Sequence, residues 1–391
     1  MSKKLNVCGR SLRRIDIKIK NHWINYLILK NVFHTHYAKK VLILYIAGPF
    51  YDINWTHTNQ QIAIGIAQTF KKKGYNVDIA QYKVKRNINF HKYDVVFGFG
   101  EQFDRLLRRY KDYTSTQTIA FLTGASAYFA NLAELNRMVY FRDRNGISLK
   151  LRRQDHELDG LMDLDALQHL TAAVCTGNEW TVGTWKNMIK NIYQITATGF
   201  NSVKLPDVNR KINEAKKNFL WFSGAGMLHK GLDICIEAFR ETPNLNLYVA
   251  GTMDPDFYDF YEDDFQHRNI HYCGFVDIKS DVYKELCSEC LFCIFPSCSE
   301  GMATSVLTTM FSGMIPVVTK ETGIDIQDWG IEIVEPNVEY ITDLAKKLSN
   351  IEDNQLKNRE VQAYEYAMKN HTLEKFCEDF GMILDKVLEK K

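Results

Sequence analysis

Residues 218–240 read NFLWFSGAGMLHKGLDICIEAFR. Phe219 to Phe222 form a compact apolar run suited to a buried strand, and Ser223 to Gly226 form a small-residue turn. From Leu232 the apolar residues repeat at the spacing of one helical face. A strand that enters a helix through a glycine turn opens a right-handed crossover unit, the building block of a doubly wound sheet. Such a turn also presents free backbone N–H groups, and Lys230 adds positive charge beside them, a combination suited to phosphate oxygens. The competing reading of Lys230 is a solvated lysine at a helix start.

The same alternation runs on downstream. LNLYVAGT, NIHYCGFV, LFCIFPS and IPVVT read as further strands, and Ser280–Cys290 and SVLTTMFSGM as helices. Two more helices are expected near Thr342–Leu348 and Arg359–Lys369. Upstream, KKVLILYIAGPF, YNVDIA, YDVVFGFG, QTIAFLTG, AAVCTGN and YQITATGF form an earlier wave of strands. Helices are expected over Asn59–Lys73, closed by Gly74, over Gln102–Tyr110 and near Trp180–Lys190. The polar stretch from Asn131 to Leu167 carries no clear period. The proline-bearing segment SVKLPDVNRKINEAKKN separates the two waves and reads as a linker.

The expected organisation is therefore a basic extension over residues 1–38, a first Rossmann-like domain over 39–202 and a linker over 203–218. A second Rossmann-like domain follows over 219–372, and a C-terminal helix over 373–391 packs back on the first. The fold class is α/β, two Rossmann-like domains facing each other across a cleft. A chain of 391 residues exceeds one ordinary core, which agrees with two domains. Ligands of such sheets sit beyond the carboxyl ends of the strands, so the cleft is where chemistry is expected.

Forty-nine basic against 47 acidic residues leave a formal charge of +2, so nothing in the overall charge points to nucleic acid. Residues 1–40 are locally basic, with Asp16 as their one acidic residue. Two readings of that start stand: contact with an anionic membrane surface, or a solvated tail. No run of eighteen apolar residues is present, and no leader-like apolar core follows the basic start. Nine cysteines, several inside apolar runs, suit a reduced, cytoplasmic setting, with peripheral attachment to the inner membrane face left open.

SGAGMLHKGLD, with FPSCSEGMATSVLTTMFSGMIPVVT about seventy residues beyond it, resembles the donor half of a GT-B fold glycosyltransferase of the family 4 type, the group 1 glycosyltransferases. The resemblance is strong from Phe219 to Asp325 and looser before. It implies transfer of a sugar from a nucleotide-sugar donor to a glycan or lipid-linked saccharide acceptor, with retained anomeric configuration, in surface polysaccharide assembly. No cofactor and no metal are implied. Lys230 inherits the contact to the diphosphate, and Glu300 the grip on the donor sugar hydroxyls. Gly301, Met302 and Ala303 inherit amides that reach the phosphates. Gly224, Gly226, Gly274, Phe275, Ser299, Thr304 and Thr308 complete the implied donor set. The family often has an arginine after its first glycine, where this chain has Ala225. Its second glutamate is replaced by Thr308, so a hydroxyl of Thr308 or Thr309 takes the place of the ribose carboxylate.

The acceptor side is expected at Gly48, His57, Asn59, Thr123, Gly124, Ser126 and Asn178. His57 and Asn59 read equally as helix caps, and Asn178 as a helix start. The histidine that many family members carry near Thr123 is absent. A nucleotide-sugar epimerase of the same fold, or a non-catalytic nucleotide-sugar-binding subunit, are the other readings.

The triplet Asp254, Pro255, Asp256 lies in an acidic loop and reads as a solvated turn. Residues 34–36, His-Thr-His, are too short and unsupported for a metal site. Met310, Phe311 and Met314 read as core. Cys287, Cys290, Cys293 and Cys298 are spread through helix, strand and loop rather than paired on turns, so they read as small buried residues. Cys298 is expected nearest the ligand.

Overall fold

The computed structural model describes residues 24–51, 57–149 and 163–388. The expected membrane contact falls mostly on residues 1–23, outside that set. Among the described residues no helix is long and apolar enough to cross a membrane.

Two sheets carry the chain. The first runs in the order β1-β3-β2-β4-β5-β6-β7, with β1 (Ile28–Leu29), β2 (Lys39–Tyr45), β3 (Tyr75–Gln81), β4 (Val95–Gly98), β5 (Gln117–Leu122), β6 (Ala172–Thr176) and β7 (Ile192–Ile195). Only β1 is antiparallel, at the edge against β3. The second sheet is wholly parallel, in the order β10-β9-β8-β11-β12-β13. Its strands are β8 (Asn218–Phe222), β9 (Asn246–Ala250), β10 (Ile270–Gly274), β11 (Phe292–Phe295), β12 (Ile315–Val318) and β13 (Ile331–Glu332). Counted from its own first strand, the second sheet has the 3-2-1-4-5-6 order of a dinucleotide-binding domain. The order reverses between β8 and β11, so a ligand crevice is set beyond Phe222 and Phe295.

Strand interiors are apolar because helices cover both faces. Val41 to Leu44 and Phe292 to Phe295 are each at most 1% exposed. Phe219 and Phe292 stack across neighbouring strands at 4.8 Å. Cys287, Cys290 and Cys293 are fully buried in this layer, and burial pushes the Cys293 thiol up to about 12. Asp254 begins the helix Pro255–Phe260, so the acidic triplet is a helix start rather than an open turn.

Three stretches carry structure that the sequence reading left unassigned or placed differently. The stretch Asn131–Leu167, read without a clear period, overlaps a 19-residue helix, Ala127–Asn145, and its residues 150–162 lie outside the described set. Near Trp180 the helix spans only Glu179–Gly183, and turns carry the chain on to Lys190. The segment read as a linker contains the helix Ile212–Ala215, and its Arg210 is buried in an ion pair with Glu360.

The C-terminal helix Leu373–Leu388 lies on the first sheet's helix Thr58–Lys72. Phe380 meets Phe70 at 5.6 Å and Phe97 at 5.2 Å, and Lys73 pairs with Asp385. The turn into this helix is pinned by His371, which is fully buried. Its Nδ1 donates to the Ala197 carbonyl at 3.0 Å, and its own carbonyl accepts from the Gly199 amide at 3.1 Å. Burial lowers the His371 pKa from 6.5 to about 4. A histidine held neutral in the fold binds its proton more readily once unfolded. The stability it contributes is therefore intact above pH 6.5 and is lost as pH falls toward 4, by about 1.4 kcal/mol per pH unit. Denaturant titrations at pH 7 and pH 5 check this: His371→Gln flattens that part of the pH dependence.

Candidate active site

A cavity of about 660 Å³ lies between the carboxyl ends of the two sheets, at the crevice set by strand order. From the second sheet it is lined by Ser223, Gly224, Ala225 and Lys230 after β8, Phe275 after β10, and Glu300 to Ser305 after β11. From the first it is lined by His57, Asn59 and Thr123.

Lys230 is placed by its loop. Its amide donates to the Gly226 carbonyl at 3.0 Å, and its carbonyl accepts from Trp221 Nε1 at 3.3 Å. Gly231 follows with φ +68°, a left-handed conformation that glycine adopts without strain. A Cβ there would also stand 2.6 Å from the Pro296 carbonyl oxygen. The ammonium donates to Ser223 Oγ and lies 5.9 Å from the Phe295 ring centre. The lysine is thus held at the mouth of the β8 turn.

Glu300 is held by three bonds. Its amide donates to the Glu321 carbonyl at 2.8 Å, and its carbonyl accepts from Ala125 of the first half at 3.2 Å. Ser297 Oγ donates to its Oε1 at 3.1 Å. Gly301 then passes so close to the first half that a Cβ on it would stand 2.3 Å from the Thr123 carbonyl oxygen. Thr181 Oγ donates to the Gly301 carbonyl at 3.0 Å. These contacts tie the loop that carries Glu300 to the first half of the chain.

His57 faces the same space. It caps the helix Thr58–Lys72, its Nδ1 accepting from the Asn59 amide at 3.1 Å. Capping and cleft contact are therefore both true of it. Burial and then the nearby Lys230 charge lower its pKa, so at neutral pH the ring is neutral. With Nδ1 accepting, its proton sits on Nε2.

Of the remaining expected donor residues, Gly224, Phe275, Met302, Ala303, Thr304 and Thr308 line the cavity. Gly226, Gly274 and Ser299 do not. Gly226 closes the lysine loop, the Gly274 carbonyl accepts from the Gly251 amide at 2.8 Å, and the Ser299 carbonyl accepts from His229. The Ala303 amide donates to the Thr322 carbonyl at 2.9 Å, so it is not open to a phosphate. Thr308 Oγ donates to the Thr304 carbonyl at 2.7 Å and accepts from the Phe200 amide at 3.1 Å. Thr309 is fully buried and donates to the Val306 carbonyl.

On the acceptor side, Gly48, Gly124, Ser126 and Asn178 lie outside the cavity lining. Gly48 opens a short turn. The Gly124 carbonyl accepts from Trp185 Nε1 at 2.9 Å. Ser126 caps the helix Ala127–Asn145, and Asn178 caps the helix Glu179–Gly183. Cys298 is half-buried and does not line the cavity. Ser223, Phe200, Phe222 and Thr252 do line it and were not expected. Ser223 had a visible signal, since it directly follows the strand end at Phe222 and precedes Gly224. Among the described residues no group of three or more His, Cys, Asp or Glu side chains could hold a metal ion.

Two Rossmann-like domains with a cleft between their strand ends make this a GT-B fold. Residues 206–370 match the family described as Glycosyl transferases group 1. That match runs from just before β8 to the end of the helix Asp353–Asn370. No curated protein matches the chain in sequence. Among solved structures, sucrose-phosphate synthase from Thermosynechococcus elongatus is similar with a TM-score of 0.63 at 10% identity, covering 90% of this chain and 100% of that one. WaaG, a glycosyltransferase involved in lipopolysaccharide biosynthesis, is similar with a TM-score of 0.53 at 15% identity, covering 89% and 99%. A TarM mutant from S. aureus, in complex with fondaparinux, alpha-GlcNAc-glycerol and UDP, is similar with a TM-score of 0.51 at 14% identity, covering 74% of this chain. This chain spans 55% of that one. At these identities the likeness is one of fold.

Proposed function

We propose that the cavity binds a nucleoside diphosphate sugar on the β8–β11 side and an acceptor saccharide on the β2–β5 side, and transfers the sugar between them. The observation that carries this reading is that Lys230 and Glu300 line one cavity together with His57 and Thr123 from the first half of the chain. A departing diphosphate gains negative charge, and an ammonium already anchored on Ser223 stabilises it without reorganising, the kind of contribution that usually dominates such reactions. Glu300, fixed by Ser297, is suited to accept hydrogen bonds from sugar hydroxyls. Phe275, 70% exposed at the rim, offers a face on which a base can stack.

The departing phosphate itself serves as the base, and retention of configuration and independence of added metal belong to the same reading. Thr308 spends its hydroxyl on Thr304 and Phe200, so the ribose is held by something other than a side chain at that position. The family setting and the fold shared with WaaG favour a role in surface glycan assembly.

Calorimetry with UDP tests the reading directly. Lys230→Ala is expected to weaken UDP binding by about tenfold or more, in keeping with the loss of a charge-assisted contact. Unchanged UDP affinity in that variant would place the diphosphate elsewhere. NMR of the first-formed product reads the anomeric outcome, and turnover in EDTA reads the metal requirement.

A further inference from the structure

The helix Ala127–Asn145 comes from the first half of the chain, yet one of its faces is buried in the second. Glu134 and Arg137, one turn apart, are 2% and 5% exposed. Arg137 donates from Nη2 to the Pro296 carbonyl at 2.9 Å, and its Nη1 lies 2.9 Å from where a Cβ on Gly231 would stand. The Glu134 carboxylate faces Nδ1 of buried His229 at 3.7 Å. Nε2 of the same ring donates to the Ser299 carbonyl, and the His229 carbonyl accepts from the Cys298 amide at 2.9 Å. One helix face therefore touches both limbs of the cavity wall. His229 and Gly231 bracket Lys230, and Pro296 and Ser299 lead into Glu300.

Glu134 Oε2, His229 Nδ1, Arg137 Nη1 and Asp233 Oδ1 are all buried without a hydrogen-bond partner. Unpaired buried polar atoms cost stability, and an apolar contact would join the halves more cheaply. The cluster is better explained by what it orients. Further along the same helix the joining is done by other residues: Phe141 packs on Phe260 at 5.3 Å, and Arg144 pairs with Asp233 and Glu237 at 2.7 and 2.8 Å.

We propose that Glu134 is a positioning residue: acting through His229, it sets where Lys230 stands relative to Glu300, so that the diphosphate-binding wall is complete only with this helix seated. The proposal rests on the reading of the cavity as a donor site. A double-mutant cycle on the full chain, with UDP as the calorimetric probe, tests it. Glu134→Ala is expected to weaken UDP binding by about tenfold in the wild-type background and to add nothing in the Lys230→Ala background, because its effect passes through that lysine. His229→Gln, whose amide can still donate to the Ser299 carbonyl, is expected to lose less than His229→Ala. A purely structural role would move the unfolding temperature without that pattern. Unchanged UDP affinity in Glu134→Ala, or losses that multiply in the double variant, overturns the positioning role. Should Glu134→Ala fail to fold, Glu134→Gln, of the same size, carries the same cycle and the same outcomes. Wild-type UDP affinity in Lys230→Ala alone overturns the donor-site reading, and is read separately from the Glu134 result.

Discussion

Glu300→Gln is expected to reduce sugar transfer by about two to three orders of magnitude while leaving thermal unfolding within a few degrees of wild type. Loss of one well-placed transition-state contact has an effect of that size. The fold is expected to survive because the backbone at 300 is fixed independently of its side chain, through the Glu321 carbonyl and the Ala125 amide. Glutamine has the same shape, and its amide oxygen can still accept from Ser297 Oγ, so the loop has no reason to move. What is lost is a carboxylate charge on the cavity lining, the charge that the proposed reading sets against the donor sugar. Transfer kinetics give the answer, with kcat and KM taken separately. A fall in kcat with KM little changed marks a contact made in the transition state. Retained turnover would remove Glu300 from the reaction.

The elements that place Glu300 and Lys230 were readable in advance because each is a strand with both faces covered. Phe219–Phe222 and Phe292–Phe295 have no polar side to confuse the period, and the turns after them carry glycine. The helix Ala127–Asn145 was illegible for the opposite reason. Its polar residues Glu134, Arg137 and Arg144 face the other half of the protein, while Tyr128, Leu132, Leu135 and Val139 are exposed. The usual relation between polarity and solvent is reversed along it, and a hydrophobic period finds no face to bury. Cap residues misled in a similar way. Ser126 and Asn178 sit at strand exits pointing toward the cleft, as binding residues would, but each uses its side chain on the first turn of the helix it starts. Sequence places a polar residue at a strand end; only geometry says whether its hydrogen bonds are already taken. Thr308 shows the same limit, since both sides of its hydroxyl are committed to backbone.

Arg210→Met is expected to destabilise the protein by about 3–5 kcal/mol, the cost of breaking a buried ion pair by removing one partner. The side chains of Arg210 and Glu360 are 1% and 0% exposed, and the pair joins the segment between the two sheets to the helix Asp353–Asn370. The guanidinium also donates to the Cys287 carbonyl and, at 3.2 Å, to the Ser312 carbonyl. Methionine fills the space but satisfies neither carbonyl, and it leaves the Glu360 carboxylate with Lys357, a half-exposed partner at 2.7 Å. The consequence is an under-compensated charge in the core of the second half. Arg210→Met combined with Glu360→Leu removes both charges together, and much of the loss is expected to return, because the desolvation cost of the pair disappears with it. Denaturant unfolding of wild type, each single variant and the double variant separates the two effects. A single-variant loss below about 1 kcal/mol would mean that the carbonyl contacts and the ion pair add little to the fold. A double variant no more stable than either single variant would mean that the arginine acts through its backbone carbonyls rather than through Glu360.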